Sequence, residues 1–444
     1  MLASATALLQ RTFGLQAFRP MQQRVLEPAL AGRDVLAVLP TGGGKSLCFQ
    51  VPALHDSGLT LVVSPLIALM QDQVGRLLSR GVAAATLSGE VDRAAEAAVL
   101  DQARQGELKL LYVSPERLTR IAEALRSRDV RVSRLAVDEA HCIVEWGHDF
   151  RPAYRRIRTV RAALGTPPCI ALTASATPAV RAAIRESLGL AADAAEIVGS
   201  FDRRNLRFEV VRVHGHEDRL ARVVVLVRTT AGPVVVYAPT RGLTEGLARI
   251  LVEGGVAAAP YHAGMKPDER RRVLDAFLGD KIRVVVATCA FGMGIDKPDV
   301  RLVAHWTMPS TPESYYQEAG RAGRDGEKSR CVLFHHPSDE THPRRQLATT
   351  FPDERVVEAL WADPSLRQRH GEAVVAAADR LGAELRPERG IVDWSGVRRR
   401  RREAERRLRS MLTYATTRSC RRAHLLAWFG EQVRRCGGCD RCGR

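Results

Sequence analysis

The chain predicts an α/β fold with two tandem parallel sheets and a helical, cysteine-bearing end, and three observations carry that prediction. Short apolar runs alternate with amphipathic stretches through residues 1–205 and again through 206–345. That alternation belongs to strands covered on both faces by helices. A glycine turn, Leu39-Pro40-Thr41-Gly42-Gly43-Gly44-Lys45-Ser46, is led into by an apolar run at 34–39, and Asp138-Glu139-Ala140-His141 follows another at 135–137. Both read as loops at the ends of buried strands, where α/β proteins hold ligands. Finally, four cysteines close the chain behind an arginine-rich stretch.

In the first unit the strands fall at 59–64, 108–114, 134–137 and 169–173, with a helix over 66–78. The second unit repeats the scheme with strands at 233–237, 257–261, 283–287 and 302–305, and carries polar motifs at 288–297 and 317–326. It has no glycine-lysine loop of its own, so two similar sheets sharing one loop imply a site between domains. Past residue 345 the pattern weakens. Residues 349–353 read as a loop with a helix start and 372–381 as a short alanine-rich helix. Five consecutive arginines, 398–402, open a helix running toward Tyr414. The domains expected are therefore 1–205, 206–345, a basic helical segment at 346–410, and 411–444.

A chain of 444 residues with 45% hydrophobic content has room for about three domains with sizeable cores. No run approaches the roughly 18 apolar residues of a membrane helix, and the first residues lack the basic flank and cleavage site of a signal peptide. Five of the nine cysteines (Cys48, Cys142, Cys169, Cys289 and Cys331) sit in apolar segments, as reduced core thiols of a cytoplasmic protein do. Net charge is +17, and residues 396–444 hold 15 arginines against four acidic residues, so +11 of it lies there. Charge concentrated this way implies contact with a polyanion, or else a solvated arginine face.

The glycine turn is built to wrap phosphates. Backbone N–H groups of Thr41, Gly42, Gly43 and Gly44 point inward, Lys45 reaches the β/γ-phosphates, and the Ser46 hydroxyl ligates Mg²⁺. Leu39 departs from the strict pattern, which has glycine there. Asp138 supplies a carboxylate for the same Mg²⁺, and Glu139 one that acts on water. ATP hydrolysis is the chemistry implied. Cys420, Cys436, Cys439 and Cys442 follow a C-x15-C-x2-C-x2-C spacing, and four thiolates make a closed, structural shell for Zn²⁺.

The motif series resembles the RecQ family of superfamily 2 DNA helicases, over about residues 10–345 and again over 411–444. The residues are Phe13-Gly14, Phe18-Arg19-Pro20, Ser64-Pro65-Leu66-Ile67-Ala68-Leu69, Asp138 to Ile143, Trp146 to Pro152, Ala171 to Thr177, Tyr261-His262-Ala263-Gly264, Ala290 to Asp296 and Tyr316 to Asp325. The resemblance implies two RecA-like domains and a zinc-binding helical subdomain. It implies that Gln22 pairs with the adenine edge while Arg19 stacks on the ring, and that His141 couples nucleotide state to the second domain. Gln317, Arg321 and Arg324, spaced by four and three, would share one helical face. Arg324 is the candidate finger for the γ-phosphate, and Arg321 either assists it or forms a structural ion pair. The loop with Trp146, His148, Phe150 and Arg151 is the implied DNA sensor, its aromatics stacking on bases. Ser64 is a candidate phosphate contact.

The same resemblance implies a 3′ to 5′ motor on single-stranded and tailed or forked duplex DNA, monomeric and cytoplasmic at the nucleoid, meeting single-strand-binding or repair proteins. Two departures stand out. Leu15 replaces a tyrosine usual in the family, and a short form lacking the winged-helix and small helical domains of longer members is expected. Residues 346–410, with their arginine run, are expected to substitute as a DNA-binding helical element.

Overall fold

The computed structural model describes every residue except 41, 90–91, 144–151, 293–296, 386, 388–389, 391, 435 and 444, with 152 and 155 described by backbone alone. Its contacts divide the chain into two compact units, one built on Met1–Arg203 with Leu426–Gln432, the other on Arg204–Phe291, Lys297–Leu425 and Val433–Arg444.

The first unit holds strands β1 (Val35–Val38), β2 (Leu59–Val63), β3 (Ala84–Leu87), β4 (Leu110–Val113), β5 (Val132–Val137), β6 (Cys169–Thr173) and β7 (Ala195–Val198). They form one sheet in the order β3-β4-β2-β5-β6-β1-β7, every pairing parallel. β1, β2, β4 and β6 are buried along their whole length, which is why their sequences are mostly apolar and carry no charge. Val35, Ala37, Val62, Tyr112, Ala136 and Ile170 pack against Phe49 and Ala53 of the helix Leu47–His55 and against Met70 and Val74 of the helix Ile67–Leu78. A buried carboxylate ties the N-terminal end of this sheet. Asp34, 5% exposed, accepts from Arg161 Nη2 at 2.6 Å, Cys169 N at 2.8 Å and Ala191 N at 2.8 Å.

The second unit holds β8 (Leu206–Arg212), β9 (Val234–Tyr237), β10 (Ala258–Tyr261), β11 (Val284–Ala287), β12 (Leu302–His305) and β13 (Ser329–His335), ordered β10-β11-β9-β12-β13-β8 and again wholly parallel. Four strands escape the sequence reading. β3 and β7 are short, alanine-bearing and only partly buried. β8 alternates Leu206, Arg207, Phe208 and Glu209 at the sheet edge, and β13 opens on Ser329-Arg330 before its apolar run. An edge strand with one wet side has no reason to be continuously apolar.

The described residues between 341 and 416 are mostly helical, with the longer segments Thr341–Thr350, Glu354–Ala362, Glu372–Leu385 and Ser395–Thr416. They enclose a core of their own, including Phe351, Val357, Leu360, Leu381, Trp394 and Val397. The Trp361 and Trp394 rings stack at 5.6 Å and 12°. Each indole N–H also finds an acceptor at 2.8 Å, Ala378 O for Trp361 and Glu358 Oε1 for Trp394. Asp353, whose side chain accepts from Arg355 N, starts the second of these helices. The arginine run is not a uniform positive arm. Arg398 is held by Glu354, Arg400 by Glu384 and Arg401 by Glu405.

Candidate nucleotide site and zinc centre

The sheet order of the first unit places β6 between β1 and β5. Three strand ends therefore converge: the glycine turn after β1, Thr173 closing β6, and Asp138 directly after β5. Gly42 and Gly44 adopt φ of +80° and +70°, which only glycine takes readily, and the helix Leu47–His55 starts just beyond Ser46. Lys45 and Ser46 lie half-buried in that turn, and Thr41 lies outside the described residues.

Arg19 and Gln22, the expected adenine pair, sit against the same turn. Gln22 Oε1 accepts from Arg19 N at 2.9 Å, and Gln22 Nε2 donates to the carbonyls of Gly43 and Gly44 at 3.3 and 3.1 Å. The Arg19 guanidinium donates to Gly42 O. A methyl group at Gly44 would strike Gln22 Nε2. Leu15 is 45% exposed.

Asp138 is 4% exposed. Burial, reinforced by the neighbouring Glu139 carboxylate, pushes its pKa up to about 7, while Lys45, the Glu139 N–H and His141 pull the other way. The Glu139 N–H donates to Asp138 Oδ1 at 3.0 Å. Glu139 itself is held at φ +48°, a left-handed conformation that a non-glycine residue pays for in strain. The Asp138 carboxylate, charged only against the cost of burial, is an oxygen donor that a hard divalent cation relieves, so the site fits Mg²⁺. His141 Nδ1 lies 2.8 Å from Thr173 Oγ1 and 3.3 Å from Glu139 Oε2. Thr173 belongs to the motif Ala171 to Thr177, but its contact with His141 arises through the sheet rather than along the chain. A second buried link escaped as well: Gln50 Nε2 donates to the Tyr112 hydroxyl at 3.2 Å, which donates to Gln73 Oε1 at 3.0 Å.

Ser64 closes β2 but is 1% exposed, and its hydroxyl has no partner among the described residues. It presents nothing to solvent. Trp146, His148, Phe150 and Arg151 lie outside the described residues.

In the second unit, Gln317 lies on the helix Pro312–Ala319, but Arg321 and Arg324 do not share its face. The helix ends at Ala319, and the chain continues in turns through Gly320, Gly323 and Gly326, with Gly323 at φ +54°. The spacing of four and three suggested one helix, and the glycines break it. Gly323 is wedged in place, its carbonyl accepting from Asn205 Nδ2 at 2.8 Å and its N–H donating to Val300 O at 2.9 Å. Burial pushes the Tyr237 phenol upward, and the guanidinium groups of Arg321 and Arg324 oppose it.

The sulfurs of Cys420, Cys436, Cys439 and Cys442 lie within 4.8 Å of one another. Tetrahedral Zn–S bonds of about 2.3 Å put sulfurs roughly 3.8 Å apart, so this set fits Zn²⁺. Backbone N–H groups of Ala423 and Gly438 point at the Cys420 and Cys436 sulfurs, each at 3.3 Å, which favours thiolates. The cysteine loop docks on β8: Cys439 pairs with Phe208, Phe208 N donates to Gly438 O at 3.2 Å, and Asp440 N donates to Phe208 O at 3.0 Å. Arg421 donates to Asp440 Oδ1 at 2.6 Å and to Tyr414 O at 2.5 Å, and Arg422 donates to Leu206 O. From Tyr414 a buried column runs inward. Its hydroxyl lies 2.9 Å from that of Tyr315, whose ring packs on His305, which contacts Glu318 at 2.8 Å.

The family models agree with this layout. Residues 19–184 match the DEAD/DEAH box helicase model, 215–326 the helicase conserved C-terminal domain, and 388–443 RecQ zinc-binding. The last match begins inside the helical segment that the sequence motifs left unassigned. An ATP-dependent DNA helicase RecQ of Pasteurella multocida is 38% identical over 440 residues, covering 99% of this chain and 62% of that protein. A Bacillus subtilis protein of the same description is 36% identical over 445 residues, covering 100% and 67%. The chain thus spans about two thirds of the length of such relatives. Among solved structures, DUF1998 helicase MrfA bound to DNA aligns with TM-score 0.63 at 19% identity, over 77% of this chain and 52% of that one. Saccharomyces cerevisiae Dbp5 bound to RNA and ADP BeF3 aligns at 0.61 and 17%, over 79% and 92%. These two establish the fold alone. With the sequence matched end to end at more than a third identity, and both helicase models followed by the zinc module in order, the chain belongs to the RecQ family of ATP-dependent DNA helicases.

Proposed function

We propose that the chain is an ATP-dependent DNA helicase that moves 3′ to 5′ on a single strand and separates duplex DNA in repair or recombination. The observation that carries this reading is the convergence of Lys45, Asp138 with Glu139, and the His141–Thr173 contact at three neighbouring strand ends. Lys45 holds the β/γ-phosphates, Ser46 and Asp138 hold Mg²⁺, and Glu139 orients and deprotonates the attacking water. Bound Mg²⁺ supplies charge neutralisation along the phosphates. Gln22 exchanges its bonds to the glycine-turn carbonyls for the adenine edge, so nucleotide arrival is felt directly by the turn. His141 and Thr173 link Glu139 to the next strand. Arg324, with Gln317 and Arg321, stabilises charge on the transferred phosphoryl group, and Trp146, His148, Phe150 and Arg151 contact single-stranded DNA. Cys420, Cys436, Cys439 and Cys442 hold Zn²⁺ as a structural clamp on β8. Among the described residues no helix is long and apolar enough to cross a membrane.

The test is ATP-dependent separation of a 3′-tailed duplex, with Lys45→Ala as the inactive control. Separation that disappears in the variant supports the helicase reading. DNA-stimulated hydrolysis without separation would instead make the chain a remodelling or annealing ATPase.

A further inference from the structure

The helix Ser395–Thr416 shows two different treatments of its arginines. Several are matched: Arg398 with Glu354 and Arg400 with Glu384 on neighbouring helices, Arg401 with Glu405 along the same helix, and Arg407 with Glu403 and Glu313. Arg399, Arg402, Arg406 and Arg409 are different. They are exposed and recur at spacings of three, four and three, so they fall in one line along the outer face, which Thr413 and Thr416 extend. Glu403 pairs with Arg406 from the side of that line, but Arg399, Arg402 and Arg409 make no ion pair among the described residues.

We propose that this ridge docks on the phosphate backbone of duplex DNA, holding the arm not yet separated; the inference rests on the helicase reading above. Arg399 to Arg409 spans about 15 Å at 1.5 Å per residue. Over that length one strand of B-DNA presents roughly four or five phosphates, at about 3.4 Å per charge. Three unmatched guanidinium groups, with Arg406 between them already paired to Glu403, fit within that count. The ridge carries no aromatic side chain, and single-strand grooves depend on aromatics for base stacking. What it offers is charge in a line, which reads backbone and not sequence. The Trp361–Trp394 stack and the matched arginines hold the helix so that the ridge faces outward.

The experiment is fluorescence anisotropy on the full, zinc-loaded chain, with a 3′-tailed duplex and with the corresponding single strand, between 50 and 200 mM salt. The triple variant Arg399→Gln, Arg402→Gln, Arg409→Gln should bind the tailed duplex at least tenfold more weakly at the lower salt. Its slope of log affinity against log salt should fall by about 2.7, so that the affinity lost across this range shrinks about 40-fold. On the single strand the slope should change by less than about one contact's worth, 0.7. The triple lysine variant keeps the charge and should keep the wild-type slope. An unchanged duplex slope in the glutamine variant overturns the proposal and leaves the ridge to an acidic protein partner. An equal loss on the single strand overturns its duplex character, and loss of slope in the lysine variant overturns phosphate contact. A wild-type chain without DNA-stimulated ATP hydrolysis would sink the helicase reading while leaving this binding result to be judged on its own.

Discussion

Replacing Asp440 with alanine tests how the cysteine loop is fastened. The Arg421 side chain is 1% exposed, and its guanidinium has Asp440 at 2.6 Å and the Tyr414 carbonyl at 2.5 Å as its acceptors, with the Tyr414 ring 5.8 Å away. Asp440→Ala leaves that charge buried with one neutral acceptor. Breaking a buried pair this way costs about 3–5 kcal/mol. The Asp440 side chain is itself 23% exposed, so water can replace part of the lost interaction, and about 2–4 kcal/mol is expected. For a unit of this size each kcal/mol moves Tm by about 2–4 °C, giving a fall of roughly 4–16 °C. Calorimetry of the zinc-loaded chain should show the loss in the transition of the second unit, with the first unit unmoved. The double variant Arg421→Met, Asp440→Ala removes the stranded charge and should recover about half of the loss or more. A single-variant cost under about 1 kcal/mol, or a double variant no better than the single, refutes the argument that a stranded arginine is what destabilises.

Two further perturbations probe the strand ends. At Gly323 a Cβ would lie 2.5 Å from Asn205 Nδ2, 2.6 Å from Glu327 O and 2.7 Å from Ser329 Oγ, at φ +54°. Gly323→Ala should therefore shift the turn that carries Arg321 and Arg324, lowering kcat for ATP hydrolysis at least tenfold while leaving nucleotide affinity within about threefold, as steady-state kinetics and nucleotide titration would show. Asp34→Ala strands Arg161, 3% exposed, and unpairs the Cys169 and Ala191 amides. It should cost the first unit about 3–5 kcal/mol in chemical denaturation, with the second unit unaffected.

Interior strands were legible in the sequence for a physical reason. β1, β2, β9 and β11 bury both faces, so nothing charged interrupts Val-Leu-Ala-Val, Leu-Thr-Leu-Val-Val, Val-Val-Val-Tyr or Val-Val-Val-Ala. The edge strand β8 carries no such mark, because Arg207 and Glu209 alternate with its buried residues. Lys45 and Asp138 were legible because phosphate binding needs a local backbone turn and a local carboxylate. The His141–Thr173 contact was not, since β6 reaches the site from 32 residues away through its place in the sheet.

The arginines make the sharper lesson. Net charge is a sum over residues, but the field outside a protein depends on which charges are already matched. Residues 396–444 carry +11, yet glutamates at 354 and 384, outside that window, neutralise Arg398 and Arg400, and Glu313 approaches Arg407. Counting charges therefore overstates the run of five and says nothing about direction. What survives pairing is a line set by the helical period. Arg399, Arg402 and Arg409 fall on the face that the Val397, Leu408 and Met411 core leaves outside. If a polyanion is held by this part of the chain, it should be held along that line, and the consecutive arginines beside it should matter through the fold they lock.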